Sequence, residues 1–521
     1  MGNENYILSM QNITKIYGNG FMANKNVTFS VREGEIHGLV GENGAGKSTL
    51  MKVLFGQETP EIGKIFVQGK EVHITDPLKA LDLGIGMVHQ HFMLVPSMTV
   101  AENMVLGSAP VKGKVFMDYE KASALTREIS EKYNLPVSPE KAIKDLSVGY
   151  KQRVEILKIL LRGAKILLLD EPTAVLTPQE TKELFVQLKN LRDQGFTIVF
   201  ISHKLNEIKE ICDRITVLRD GEVVGTCDID DVTERDISRM MVGRDVLMDI
   251  SRSKCKTGNS VLSVRGVGYT NKFGQKALHG VNFDVRSGEI LGVAGVEGNG
   301  PTELAQIITG LASPEEGNIF IKGQDIVGMP TRKVRNMNVA FISEDRMVYD
   351  LVSSASIEEN LIADRYHKPG YHNVLGQLDK KRIAAETNQL IEEYQVYCDS
   401  RKSPISTLSG GNMQKVITAR ECSSHPELLV VSQPTRGIDV GATELIRKRL
   451  VNMREDGTAI LLFSSDLSEV MEVSDRIIVL YDGEIVAHLI NDKTINETIL
   501  GEYMLGIKKQ TAEEIGGAVF A

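Results

Sequence analysis

Cysteine is scarce in this 521-residue chain: Cys212, Cys227, Cys255, Cys398 and Cys422 are all it has, and no two are spaced as C-x-x-C. An odd, unpaired set excludes a disulfide framework and fits a reducing compartment, where such thiols act as small packing residues. Long apolar runs are missing too; none approaches the roughly 20 residues that a bilayer-spanning helix needs. The opening Met1-Gly2-Asn3-Glu4-Asn5 carries no basic region and leads into no apolar stretch, so no export signal is read there. Any link to a membrane is therefore expected to run through a partner. Basic clusters are also absent: 60 Lys and Arg are spread along the chain against 69 Asp and Glu, for a net charge of −9. Nucleic acid is not expected as a partner on that balance.

The hydrophobic share of 42% and charged share of 25% are those of a globular protein, and 521 residues are too many for one core. The densest signal is Gly41-Glu42-Asn43-Gly44-Ala45-Gly46-Lys47-Ser48-Thr49, which fits the phosphate-binding pattern G-x-x-x-x-G-K-[ST]. Ile36-His37-Gly38-Leu39-Val40 before it reads as a buried parallel strand, and Lys47 to Phe55 after it as a helix. Backbone N–H groups of such a turn converge on phosphates, aided by the positive end of the helix dipole. Lys47 would reach the β- and γ-phosphates of ATP, and Ser48 would ligate Mg²⁺.

A second feature is internal repetition. Asn26 to Ile36 is echoed by Gly280 to Ile290, and Gly295 lies 254 residues after Gly41. Further on the offset is 262, as from Asp170 to Ser432, so the second copy holds eight extra residues between Glu344 and Ser409. A period this long means duplicated domains rather than a solenoid. Within each copy, apolar strands (Ile166 to Leu169, Thr197 to Ile201) alternate with helical segments (Pro178 to Arg192), which predicts an α/β domain with a largely parallel sheet. Ala101 to Arg162 lacks strand signals and reads as an inserted helical subdomain. The expected division is 1–243, a polar linker 244–260, 261–507, and a loosely ordered tail 508–521.

Asp170 and Glu171 end an apolar strand, where open α/β sheets place ligands. Asp170 suits the Mg²⁺ shell, and Glu171 can orient and polarise an attacking water. His203, after the strand ending at Ile201, can touch a γ-phosphate. Leu146-Ser147-Val148-Gly149-Tyr150 and Leu408-Ser409-Gly410-Gly411-Asn412 occupy equivalent places, each opening a helix. With these motifs in order, the chain resembles the ATP-binding-cassette family over nearly its whole length. The resemblance implies two tandem P-loop NTPase domains paired head to tail. Each ATP would lie between one domain's phosphate loop and the other's signature helix. It further implies that Tyr17 stacks on adenine and that Gln90 senses the metal and the partner subunit.

The copies are unequal. Lys47 is matched by Pro301, Asp170 and Glu171 by Ser432 and Gln433, His203 by Ser465, and Gln90 by Glu344. Conversely, the second copy keeps Ser409, Gly410 and Gly411, whose N–H groups at a helix start can meet a γ-phosphate, whereas the first has Val148 and Tyr150. Head-to-tail pairing would then give one competent ATP site and one degraded one. Fused cassettes of this kind resemble the ATPase subunits of bacterial monosaccharide and nucleoside importers. His89 to Pro96, Ser147-Val148-Gly149 and Glu171 to Glu180 are similar to the nucleoside branch, fed by a basic-membrane-lipoprotein type binding protein. The resemblance implies integral membrane permease subunits, an extracytoplasmic solute-binding protein, and a place on the cytoplasmic face of the membrane. Import of ribose or galactose is the alternative solute reading. A soluble tandem-cassette translation factor is the alternative from another class, and a non-hydrolysing regulator a third.

Overall fold

The computed structural model describes residues 6–520 except 19, 90–91, 114–115, 174–175, 177, 203, 245–256, 272–273, 296–297, 373–375 and 493. The chain divides into two compact units, Met1–Val246 and Leu247–Ala521. In the first, runs too apolar to face water, such as Ile36–Val40 and Ile166–Asp170, are buried at every position. They form the middle of a six-stranded sheet ordered Glu222–Asp228, Arg214–Arg219, Ile36–Val40, Thr197–Ile201, Ile166–Asp170, Ile85–Val88. Five strands are parallel and the Glu222–Asp228 edge is antiparallel. The second unit repeats this order with Glu484–Ile490, Arg476–Tyr481, Ile290–Ala294, Ala459–Ser464, Leu428–Ser432 and Val339–Ile342.

The sheets are therefore mixed, and each unit also holds a four-stranded antiparallel sheet that the sequence reading passed over. In the first unit it comprises Met22–Arg32, Tyr6–Ile16, Ile62–Val67 and Lys70–Val72. Its strands alternate between buried and exposed positions, the weaker pattern of a sheet with one wet face. The inserted region is helical as expected, with Val100–Met104, Tyr119–Lys132 and Val148–Leu161, plus a short hairpin of Val111–Lys112 with Phe116–Met117.

Helix starts locate the eight extra residues. Thr99 and Ser356 each cap a helix through a capping box, 257 residues apart, so three residues are inserted between Glu344 and Ser356. Asp118 and Asp379 cap the next helices 261 apart, which places four more between them, and the last precedes Ser409. Most of the expected linker 244–260 lies outside the described residues; Ser260 already opens a strand. The tail departs from the expectation of loose order. Ala512–Phe520 is helical, and Gln510 bonds the edge strand twice, donating to the Val486 carbonyl (2.9 Å) and accepting from the His488 N–H (2.7 Å). Those bonds occupy an edge that would otherwise be open. Among the described residues no helix is long and apolar enough to cross a membrane.

Candidate functional site

The strand Ile36–Val40 ends in the Gly41–Gly46 turn, and the helix Lys47–Leu54 starts at once. Glycine is required at two points. A Cβ on Gly41 would lie 2.3 Å from the Leu218 carbonyl oxygen, and one on Gly46, at φ 97°, would lie 2.3 Å from that of Ala23. Gly44, at φ 89°, faces open space instead, which is the side from which a phosphate can approach. The Asn24 amide fixes the turn by donating to the Gly46 carbonyl (3.1 Å). Lys47 is buried, and its ammonium donates to the carbonyls of Gly41 (2.6 Å) and Glu42 (2.9 Å). Phosphate oxygens can take over those bonds.

Asp170 closes the neighbouring strand and is hydrogen-bonded by the Ser48 hydroxyl. Burial pushes its carboxyl above the usual range and adjacent Glu171 adds to that, against the pull of Ser48, Lys47 and Lys52. A desolvated carboxylate beside a hydroxyl suits a hard cation, and Mg²⁺ bound with phosphates needs only one or two carboxylates. Among the described residues no cluster of three or more His, Cys, Asp or Glu forms a self-sufficient metal cage. Glu171 sits at φ 47°, with its N–H held by the Ile201 carbonyl (3.0 Å), so the turn that carries its side chain is fixed from the next strand. Tyr17 donates to or accepts from Thr49 (3.2 Å), which sets its half-buried ring beside the phosphate-loop helix. Asn43 lies in the same turn. Gln90 and His203 lie outside the described residues.

One group escaped the sequence reading. Glu207, buried, accepts from Thr173 (2.6 Å) and Ser202 (3.1 Å) and pairs with Lys204 (3.0 Å), tying the turn after Glu171 to the end of the next strand. The signal was available in the repeat: Thr435, Ser464 and Glu469 stand 262 residues on. There too Glu469 is fully buried beside Ser464 and Thr435, and its carboxyl is raised chiefly by that burial.

The second unit copies the turn but not its polar side chains. Gly298 and Gly300 keep φ 92° and 100°, and a Cβ on Gly300 would lie 2.6 Å from the Ala277 carbonyl. Yet Pro301 opens the helix, so the ammonium and one N–H are both gone. Thr302, matching Ser48, donates to Glu344 (3.2 Å), which also binds the Arg436 guanidinium. Gln433, at φ 49° like Glu171, accepts from the N–H and hydroxyl of Ser465, both at 3.2 Å. Asn271 takes the place of Tyr17, in a turn closed by the same backbone bonds.

The signature helices differ in the opposite sense. In the first unit the Gly149 N–H donates to Glu180 (3.3 Å), and Tyr150 stands exposed under Arg153 (4.7 Å). A donor at the helix start is thus already committed to a carboxylate. In the second, Ser409 caps its helix by accepting from Asn412 N–H (3.4 Å), and Gly410 and Gly411 follow. Asp439, close against Gly411, caps its own helix by accepting from the Ala442 N–H (2.6 Å).

A family model described as ABC transporter matches residues 24–174 and 278–436. The chain is 44% identical over 506 residues to the nucleoside import ATP-binding protein NupA of Lactococcus lactis subsp. cremoris, spanning 97% of this chain and 99% of that one. It is also 44% identical to the guanosine import ATP-binding protein NupO of Bacillus subtilis, over 98% of this chain and 100% of NupO. Identity to the glucose import ATP-binding protein TsgD13 of Haloferax volcanii is 42%, over 92% of each chain.

Proposed function

Because the chain belongs to the ABC transporter family, we propose that it is the ATP-hydrolysing subunit of a nucleoside importer. It would act at the cytoplasmic face of the membrane on integral permease subunits served by an extracytoplasmic binding protein. Its first unit carries the chemistry. Lys47 and the turn amides would bind the β- and γ-phosphates, Ser48, Asp170 and Gln90 would hold Mg²⁺, and Tyr17 would stack on adenine. Glu171 orients and polarises the attacking water, with His203 at the γ-phosphate. When bound, Mg²⁺ would supply charge neutralisation at the phosphates. The second unit contributes Ser409, Gly410 and Gly411 to the same ATP by head-to-tail pairing, so that one site hydrolyses. ATP favours the closed pairing and hydrolysis releases it, which is what couples turnover to the permease.

The observation that carries this reading is the contrast between the units. Lys47, Ser48, Asp170 and Glu171 stand together around the Gly41–Gly46 turn, whereas the second unit has Pro301, Ser432 and Gln433 in place of the ammonium and both carboxylates, and its Thr302 is bonded to Glu344. Nucleosides are favoured over sugars by the two full-length relatives at 44% identity, with the glucose relative close behind at 42%. The test is uptake of labelled nucleosides and labelled monosaccharides into cells whose only copy carries Glu171→Gln. Turnover should fall about 10²- to 10⁴-fold and nucleoside uptake alone should disappear. Loss of sugar uptake alone would overturn the solute, and no loss of either would overturn the importer.

A further inference from the structure

In the second unit, bonds from the former phosphate site run on to the signature helix. Thr302, at the start of the loop helix, bonds Glu344; Glu344 binds Arg436, in the turn between the strand Leu428–Ser432 and the helix Val440–Glu455. Arg346 then forks across two elements, donating to the Arg436 carbonyl with one amino group and to the Gly410 carbonyl with the other (3.3 Å). Gly410 is the first residue of the signature helix Gly410–Cys422. Four side chains, Thr302, Glu344, Arg436 and Arg346, therefore connect the loop helix, the turn at Arg436 and the signature helix of one unit.

We propose that Arg346 and Arg436 are positioning residues: with Glu344 and Thr302 they tie the second unit's signature helix to its loop helix by side-chain bonds alone. They hold the signature helix in its working place while the second loop stays free of nucleotide. The inference rests on the shared-site reading above and says how the donor half is kept ready.

Four observations support it. Arg346 grips Gly410 by its carbonyl and not by its N–H, so this contact takes up none of the helix-start donors that would meet a γ-phosphate. A planar fork bonding two separate acceptors is an arginine's task that a lysine cannot reproduce. The device is confined to the unit that keeps its signature: Arg436 stands where the first copy has Ala174, Glu344 where it has Gln90, and His89 to Pro96 holds no arginine. Finally, Arg346 belongs to the stretch that received three extra residues. That stretch forms the turn Arg346–Asp350, pinned by Asp345 accepting from Met347 and Val348 (3.1 Å each) and by Ser343 donating to Asp350 (2.6 Å).

The test uses the purified full-length chain, with ATPase rates over a range of ATP and Mg²⁺, and equilibrium binding of labelled ATP. One ATP per chain is expected in the parent; two would overturn the inference. Arg346→Ala and Glu344→Gln should each lower kcat/KM roughly tenfold at an unchanged melting temperature. Glu344→Gln with Arg436→Ala should cost no more than either alone, because one linkage is broken twice. Arg346→Lys should fail to restore the rate fully. Should Arg346→Ala not fold, Glu344→Gln, which keeps the volume, decides. Ser409→Arg separates the two claims. If it leaves turnover intact, the shared site falls and this inference with it. If it abolishes turnover while Arg346→Ala and Glu344→Gln do not change it, the shared site stands and this inference alone is overturned.

Discussion

Lys47 in the first unit and Pro301 in the second stand at the same point of the same turn, after glycines whose φ angles differ by only a few degrees (97° and 100°). The backbone of the turn thus persists where Lys47 is replaced by Pro301. Persistence has a local cause: Gly46 and Gly300 are each pressed against the carbonyl of an antiparallel strand, Ala23 or Ala277, so packing alone keeps the turn. What differs is where the polar side chains are spent. The first unit points a buried ammonium, a hydroxyl and a desolvated carboxylate at one cradle. The second pairs Thr302, Glu344 and Arg436 with one another, and Gln433 with Ser465. A loop can therefore keep its shape by packing while the side chains it carries change.

The strongest way to break this contrast is exchange at the helix start. Lys47→Ala should reduce steady-state ATP turnover by about 10²- to 10³-fold, the loss seen when one buried donor to a developing charge is removed. Pro301→Lys should leave turnover within about twofold, since Ser432 and Gln433 still lack the carboxylates. A gain of a second hydrolysing site on Pro301→Lys would erase the distinction.

A smaller effect is expected at the base-stacking position. Tyr17→Ala should raise the KM for ATP by about fivefold or more, from the roughly 1–3 kcal/mol of one ring–base stack. Tyr17→Phe should stay near the parent, and Asn271→Tyr should change nothing in nucleotide titrations.

The smallest effect sharpens the comparison in the sheets. Each unit buries one imidazole there: His37 accepts or donates between Glu35 (3.0 Å) and Thr216 (2.8 Å), while His488 accepts from Arg476 (2.8 Å). Burial, Arg476 and Arg286 push His488 down from 6.5 to about 4. The folded state thus requires a neutral ring that the unfolded chain protonates below pH 6.5. This stability is present above 6.5 and is lost as pH falls toward 4. Between pH 7 and 5.5 the loss is about 1 kcal/mol, about 2–4 °C in melting temperature. His488→Thr, which imports the first unit's Thr226, should flatten that slope in a pH series of thermal scans. An unchanged slope would show that the imidazole is not what titrates.

The strand Ile36–Val40, the helix from Lys47, and the carboxylates at the end of Ile166–Asp170 were legible because each rests on a local rule: a continuous apolar run, glycine at a forced turn, or a polar residue where a buried strand emerges. The antiparallel sheets were not read, since a strand wet on one face carries a weaker pattern. The anchored tail was missed because Gln510 has no local sign of its partner strand.

Sequence alone determined the duplication, the class of the domains, and that Lys47, Asp170 and Glu171 have no like counterpart in the second copy, because those depend on residue identity at fixed spacing. Only the tertiary structure decided what became of the second copy's polar groups. Glu344 meets Arg436 across 92 residues, and Arg346 meets Gly410 across 64. Partners so distant are chosen by the packing of helices on a sheet, and no spacing rule along the chain encodes them.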